Sequence, residues 1–354
     1  MKILMAARRY PPDVYSGTET VFANLYQRAR EHHDVRLVTG WVRSRELVPA
    51  EAVAVPLKGR SKLRAWSAMS QAIFSEARRF KPDVILSNSI EVPPTGFPTT
   101  CIVHDLNFGR AASGLSAKLK SSFYARRARS LDAVITVSGA SARALVAAGV
   151  PEGRIRVVHN GVDVDYFKPI PPREDDGIVR FAYPSRILPG KGQHLAIDAI
   201  ARLPALYKRK AHLTIVGAIA DPVYLDQLRV QSFRQPVEFA FDVPEIGPYY
   251  QNADVIVYPT VMEEGFGFTA VEGMSCGKPV IWFDQPAIRE ATGGIGFPID
   301  REDVVGMRDA MVALITDPEK RRRVGDAGRR YAENNLSWRR VWEQYETALS
   351  SIAR

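Results

Sequence analysis

Short, nearly continuous apolar runs recur along the chain, each followed by a stretch of helical periodicity. In the first half they are KILMAA from Lys2, VRLVTG from Val35, AVAVPL from Ala52, VILSN from Val84, TCIVHD from Thr100, AVITVS from Ala133 and IRVVHN from Ile155. In the second half they are RFAYPS from Arg180, HLTIVG from His212, VEFAF from Val237, VIVYP from Val255, PVIWF from Pro279 and IGFPI from Ile295. Runs without polar alternation are what strands covered on both faces require. The intervening segments carry apolar stripes. Val21, Phe22, Leu25 and Ala29 share one face behind Thr18, which suits an N-cap. This alternation predicts an α/β chain of two doubly wound, parallel-sheet domains.

The alternation breaks at YFKPIPPREDDG, where three prolines and three acids exclude a helix or strand interior. The expected division is therefore a first domain over 1–165, a linker over 166–177 and a second domain over 178–337. The tail from Trp338 reads as an amphipathic helix, with Trp338, Val341, Trp342, Tyr345 and Leu349 on one side. At 46% apolar and 25% charged residues, a disordered or fibrous chain is excluded. No apolar run reaches the roughly 18–20 residues of a membrane span. Arg8 and Arg9 interrupt the start before a signal-peptide core could form, so a cytoplasmic protein is expected. Cys101 and Cys276 lack metal-ligand spacing.

The net charge of +9 is unevenly placed. Residues 1–170 hold 25 Lys and Arg against 14 Asp and Glu, or +11, which leaves −2 for the remainder. A basic half attracts nucleic acid, anionic lipid or small anions. The basic residues accompany no nucleic-acid motif and no interleaved aromatic platform, so a nucleic-acid partner is not expected.

Ligands of open parallel sheets collect beyond the carboxyl ends of strands. Two segments stand out there. In EEGFGFTAVEGMSCGKPVI, after VIVYP, Gly265 and Gly267 allow close backbone approach to a phosphate, and Phe268 and Thr269 can supply N–H donors. Glu264 and Glu272 in the same segment suit sugar and ribose hydroxyls better than phosphates. In PSRILPGKG, after RFAYPS, Arg186 and Lys191 flank a turn and bring two cations to the same sheet edge.

These motifs, together with PPDVYSGTE, His104-Asp105, VSGASARAL, HNGVD and SWRRVWEQY in this order, resemble glycosyltransferase family 4 across nearly the whole chain. The resemblance implies a GT-B fold, two Rossmann-like domains facing across a cleft, and retaining transfer from a nucleotide sugar. It implies a first domain for the acceptor, a second for the donor, and a final helix over 338–354 returning to the first, with hinge closure between them. Arg186 and Lys191 then match the diphosphate-binding pair. Glu264 matches the contact to donor-sugar hydroxyls and Glu272 the ribose contact. Gly265, Phe266, Gly267, Phe268 and Thr269 match the backbone cradle. Gly17 matches the second glycine of a Gly-Gly loop whose first position is here Ser16, and His104 matches a histidine that orients a hydroxyl near the reacting sugar.

No metal is implied. Asp163-Val164-Asp165 spells the D-x-D of metal-dependent glycosyltransferases, but it stands at the exit of the first domain, where a turn is expected. The donor is expected to be a UDP- or GDP-linked hexose and the acceptor a sugar, glycolipid or lipid-linked hydroxyl, with no cofactor. A nucleotide-sugar epimerase of the same fold is the alternative, and it would act on the donor alone. The stretch GLSAKLKSSFYARRAR aligns Leu115, Leu119 and Phe123 among Lys118, Lys120, Arg126, Arg127 and Arg129. It is expected either to lie on an anionic membrane or to face its own sheet. Base contacts are expected around Val237 to Gly247, where Ala240 replaces the family's usual glycine.

Overall fold

All thirteen apolar runs are strands. In this computed structural model, which describes residues 1–354 except 15–16, 91, 105–114 and 354, seven build one sheet and six another. The first holds β1 (Lys2–Ala7), β2 (Asp34–Trp41), β3 (Val53–Pro56), β4 (Val84–Ser87), β5 (Thr99–Val103), β6 (Ala133–Thr136) and β7 (Ile155–Val157). Its order is β3-β2-β1-β4-β5-β6-β7 and every pairing is parallel. The second holds β8 (Val179–Pro184), β9 (Ala211–Val216), β10 (Val237–Ala240), β11 (Val255–Tyr258), β12 (Val280–Phe283) and β13 (Phe297–Ile299). Its order is β10-β9-β8-β11-β12-β13, again all parallel. Strand order reverses direction between β1 and β4 in one sheet and between β8 and β11 in the other. Doubly wound sheets open a ligand crevice at such a reversal.

The central strands β4, β6, β11 and β12 are buried along their whole length, as helices on both faces demand. The helix Gly17–His32 buries Val21, Phe22, Leu25 and Ala29 as its stripe predicts. It begins at Gly17, so Thr18 lies inside the first turn and does not cap it. The Thr18 hydroxyl donates instead to the Glu19 carboxylate at 2.8 Å. The helix Trp338–Ser350 buries Trp338, Val341, Trp342, Tyr345 and Leu349.

The chain divides into one unit of 1–161 with 338–354 and a second of 162–337. Tyr166 and Phe167, at the head of the proline-rich stretch, pack inside the second unit. The rings of Phe167 and Tyr250 meet edge to face at 5.2 Å, and Ser275 donates to the Phe167 carbonyl at 2.6 Å. Val162 pairs with Ser337 through a parallel bridge, and its N–H donates to the Leu336 carbonyl at 2.8 Å. The second unit is thus entered and left at adjacent points.

Candidate functional site

In the second unit the loop after β8 is built around two contacts that hold it to the loop after β11. Gly192 has φ 74°, and a Cβ there would lie 2.0 Å from the Pro259 carbonyl oxygen, so only glycine fits. The Gly190 carbonyl accepts from the N–H groups of Val261 (3.0 Å) and Met262 (2.8 Å). The buried Tyr183 hydroxyl donates to the Lys191 carbonyl, and Gln193 Nε2 donates to the Arg186 carbonyl at 2.8 Å. These contacts fix the backbone of both cations. Their side chains differ. Arg186 is exposed, whereas the Lys191 ammonium turns inward against the Glu264 carboxylate at 2.5 Å, with side-chain exposures of 12% and 15%. The second cation of the expected pair is therefore already matched by a carboxylate.

Glu264 is itself held in place. Its Oε1 also accepts from the Thr260 hydroxyl at 2.9 Å, and its N–H donates to Gln285 Oε1 at 3.1 Å. Buried Gln285 uses its amide N–H groups on the carbonyls of Thr260 (2.8 Å) and Met262 (3.0 Å). The Lys191 ammonium also lies 5.9 Å from the centroid of the Tyr258 ring. Burial, and then the nearby Glu264 charge, holds the hydroxyls of Tyr183 and Tyr258 well above the ordinary tyrosine range.

Past half-buried Gly265, buried Phe266 packs edge-on to Phe268 at 5.3 Å. Gly267, at φ 104°, starts the helix Phe268–Ser275 without a side-chain cap. Its first N–H groups, those of Phe268 and Thr269, make no backbone hydrogen bond among the described residues. The Thr269 hydroxyl donates to the Pro184 carbonyl at 2.9 Å, which seats this helix end against the end of β8. One turn further, Glu272 accepts from the Tyr250 hydroxyl. Burial pushes the Glu272 carboxyl up to about 7, against the opposing pull of that hydrogen bond. The switch point between β8 and β11 thus gathers Arg186, Lys191, Glu264 and an open helix N-terminus.

The first unit places its two expected residues at the matching positions. Gly17 opens the helix after β1 and is exposed. His104 follows β5, and its Nε2 lies 2.8 Å from Asn88 Oδ1. Asn88 ends the strand run at β4 and donates its Nδ2 to the Thr18 carbonyl at 3.3 Å. That donation fixes the amide orientation, so Oδ1 faces the imidazole and Nε2 carries the hydrogen. Ser16, Asp105 and Asn107 lie outside the described residues, as do the side chains of Leu115, Lys118, Leu119 and Lys120.

Sequence reasoning did not single out Asn88, Thr260, Gln285 or Tyr250. The first three had a signal: each is polar and stands within two residues of the carboxyl end of a strand. Tyr250 had none. Asp163 Oδ1 accepts from the N–H groups of Asp165 (3.1 Å) and Tyr166 (2.9 Å), so the D-x-D closes a turn. Among the described residues there is no group of three or more His, Cys, Asp or Glu that could hold a metal, and no helix long and apolar enough to cross a membrane.

Residues 15–166 match the family described as Glycosyltransferase Family 4, and residues 167–331 match Glycosyl transferases group 1. An MMP alpha-(1->4)-mannosyltransferase of Mycolicibacterium hassiacum is 30% identical over 240 residues, covering 64% of this chain and 57% of that protein. A glycogen synthase of Mycobacterium tuberculosis is 26% identical over 393 aligned positions, covering 96% of this chain and 92% of that protein. The chain thus spans little more than half of the first relative and most of the second. The crystal structure of Anabaena HepE in complex with UDP is similar at a TM-score of 0.81 and 22% identity, over 99% of this chain and all of that one. The fold is GT-B, with two parallel-sheet α/β units. Both halves being matched in consecutive order, the chain belongs to glycosyltransferase family 4, the group 1 glycosyl transferases.

Proposed function

We propose that this chain moves a hexose from a UDP- or GDP-linked donor to a hydroxyl of a sugar, glycolipid or lipid-linked acceptor, with retention at the anomeric carbon. The observation that carries the reading is the convergence of Arg186, the Lys191–Glu264 pair and the Phe268 helix end at one switch point. The mannosyltransferase and glycogen synthase relatives favour a mannosyl or glucosyl group.

In this reading the diphosphate lies over the N–H groups of Phe268 and Thr269, with Arg186 and Lys191 on its oxygens. Lys191 need not release Glu264, because an ammonium has three donors and can serve a carboxylate and a phosphate together. Glu264 faces the sugar hydroxyls and Glu272 the ribose. A carboxylate already holding an ammonium and a hydroxyl is a poor nucleophile. That favours front-face attack over a double displacement, which needs a free carboxylate at the anomeric carbon. The acceptor oxygen bonds to the anomeric carbon as the bond to the diphosphate breaks, and the acceptor proton passes to a phosphate oxygen. Arg186, Lys191 and the helix amides stabilise the departing charge without a divalent ion. His104, oriented by Asn88, is the group of the first unit suited to orient a hydroxyl.

Thermal-shift screening against UDP, GDP, ADP, dTDP and their sugars should give one stabilising base. NMR of the product should then show the donor's anomeric configuration, in the presence of chelator. Absence of stabilisation by every nucleotide, or an inverted product, overturns the reading.

A further inference from the structure

We propose that the helix Lys62–Phe80 is a docking surface for an anionic lipid bilayer. Its inward face sends Ala65, Met69, Ile73, Ala77 and Phe80 into the core of the first unit. The outward face does not have the polar character that water requires. Leu63 is 73% exposed, Trp66 37% and Phe74 38%. At helical spacing these three fall within an arc of about 80° along one flank. Lys58, Arg60, Lys62 and Arg64 lie at one end of the stripe and Arg78, Arg79 and Lys81 at the other, all exposed. The acid within 58–81 is Glu76, buried and paired with Arg79 at 2.7 Å. The Arg78 guanidinium lies over the Phe74 ring at 4.6 Å, so the apolar flank and its charged border are joined.

An anionic bilayer satisfies both halves of this pattern. Leucine, tryptophan and phenylalanine enter the boundary between headgroups and acyl chains, while lysines and arginines at both ends meet anionic headgroups. A helix of 19 residues is about 28 Å long and would lie in the interface plane. A second copy of the same face would bring seven cations against seven. A nucleic acid would meet the charge and leave Leu63 and Phe74 in water. This surface is distinct from the helix Leu115–Ser130, and the inference does not depend on the glycosyl-transfer reading.

The test uses the full chain with vesicles of phosphatidylcholine, alone or mixed with phosphatidylglycerol. Sedimentation is expected with the anionic vesicles at low salt and not with the neutral ones. Tryptophan emission should shift to the blue on binding, and the shift should vanish in Trp66→Phe. Leu63→Ser with Phe74→Ser should weaken vesicle binding about tenfold or more, since two apolar side chains no longer reach the acyl boundary. Lys58→Glu with Lys62→Glu and Arg64→Glu should abolish it. Unchanged melting temperatures and unchanged nucleotide-induced stabilisation in every variant establish that fold and donor site are intact. The proposal is overturned by vesicle binding that all these variants retain, by failure of the parent chain to sediment, or by oligonucleotide binding indifferent to Leu63→Ser and Phe74→Ser. Failure of nucleotide stabilisation alongside normal vesicle binding would count against the transferase reading alone.

Discussion

Arg186 and Lys191 share one loop yet should respond differently to removal. Arg186 is exposed and makes no side-chain ion pair among the described residues. Arg186→Ala should lower kcat by about 10²–10³, the scale for losing one transition-state donor. Its denaturation midpoint should stay nearly unchanged, because nothing buried loses a partner. Lys191→Ala strands the Glu264 carboxylate at 15% side-chain exposure. That variant should lose activity and also about 3 kcal/mol of unfolding free energy. Equal stabilities in urea titration would reject the distinction. Glu272 sets a pH dependence of its own. Burial raises its carboxyl from an ordinary 4.5 to about 7, so the folded chain holds that proton where the unfolded chain has released it. This contribution is complete below about pH 4.5, is lost as pH rises toward 7 and is constant above that. It amounts to at most ~3 kcal/mol at one unit per 1.36 kcal/mol. Glu272→Gln removes it, so the stability advantage of the parent over the variant should shrink between about pH 5 and 8. A pH-independent difference would show that the carboxyl titrates normally.

At the scale of elements, Gln285 joins the chain just past β12 to the loop after β11 through three hydrogen bonds. Gln285→Ala leaves two carbonyls and one N–H of that loop without their partner, so Glu264 should wander. We expect KM for the donor to rise more than kcat falls, with Gln285→Glu restoring little because it loses both amide donors. Unaltered KM would mean the loop is held by Thr260 and Gly190 alone. The strands were legible because burial on both faces is written locally, in runs such as VIVYP and PVIWF. The Lys191–Glu264 pair was not, since its members stand 73 residues apart and only the β8–β11 adjacency brings them together. Thr18 failed as a cap for a local reason: the helix starts one residue before it, and the hydroxyl finds Glu19. Asn88 was visible as the polar end of VILSN, but its task depends on two other loops.

For the molecule as a whole, the division into units sharpens the charge asymmetry seen along the sequence. The unit of 1–161 and 338–354 carries 27 Lys and Arg against 14 Asp and Glu, or +13, and the other unit carries 21 against 25, or −4. The cationic surface therefore belongs with the helix Lys62–Phe80, and the donor site rests in a nearly neutral body where local groups decide binding. The second unit contains every residue assigned to the donor. Expressed as residues 162–337 it should unfold cooperatively and keep nucleotide-induced stabilisation. A broad, non-cooperative melt would show that it needs the rest of the chain.

The bridge between Val162 and Ser337 has an evolutionary corollary. A body whose two ends meet can be exchanged like a cartridge, spliced at a single seam while the remaining chain closes over a short gap. Sugar preference and acceptor preference could then diversify by recombination, each inherited separately, and chimaeras cut at that seam are the natural way to build new pairings.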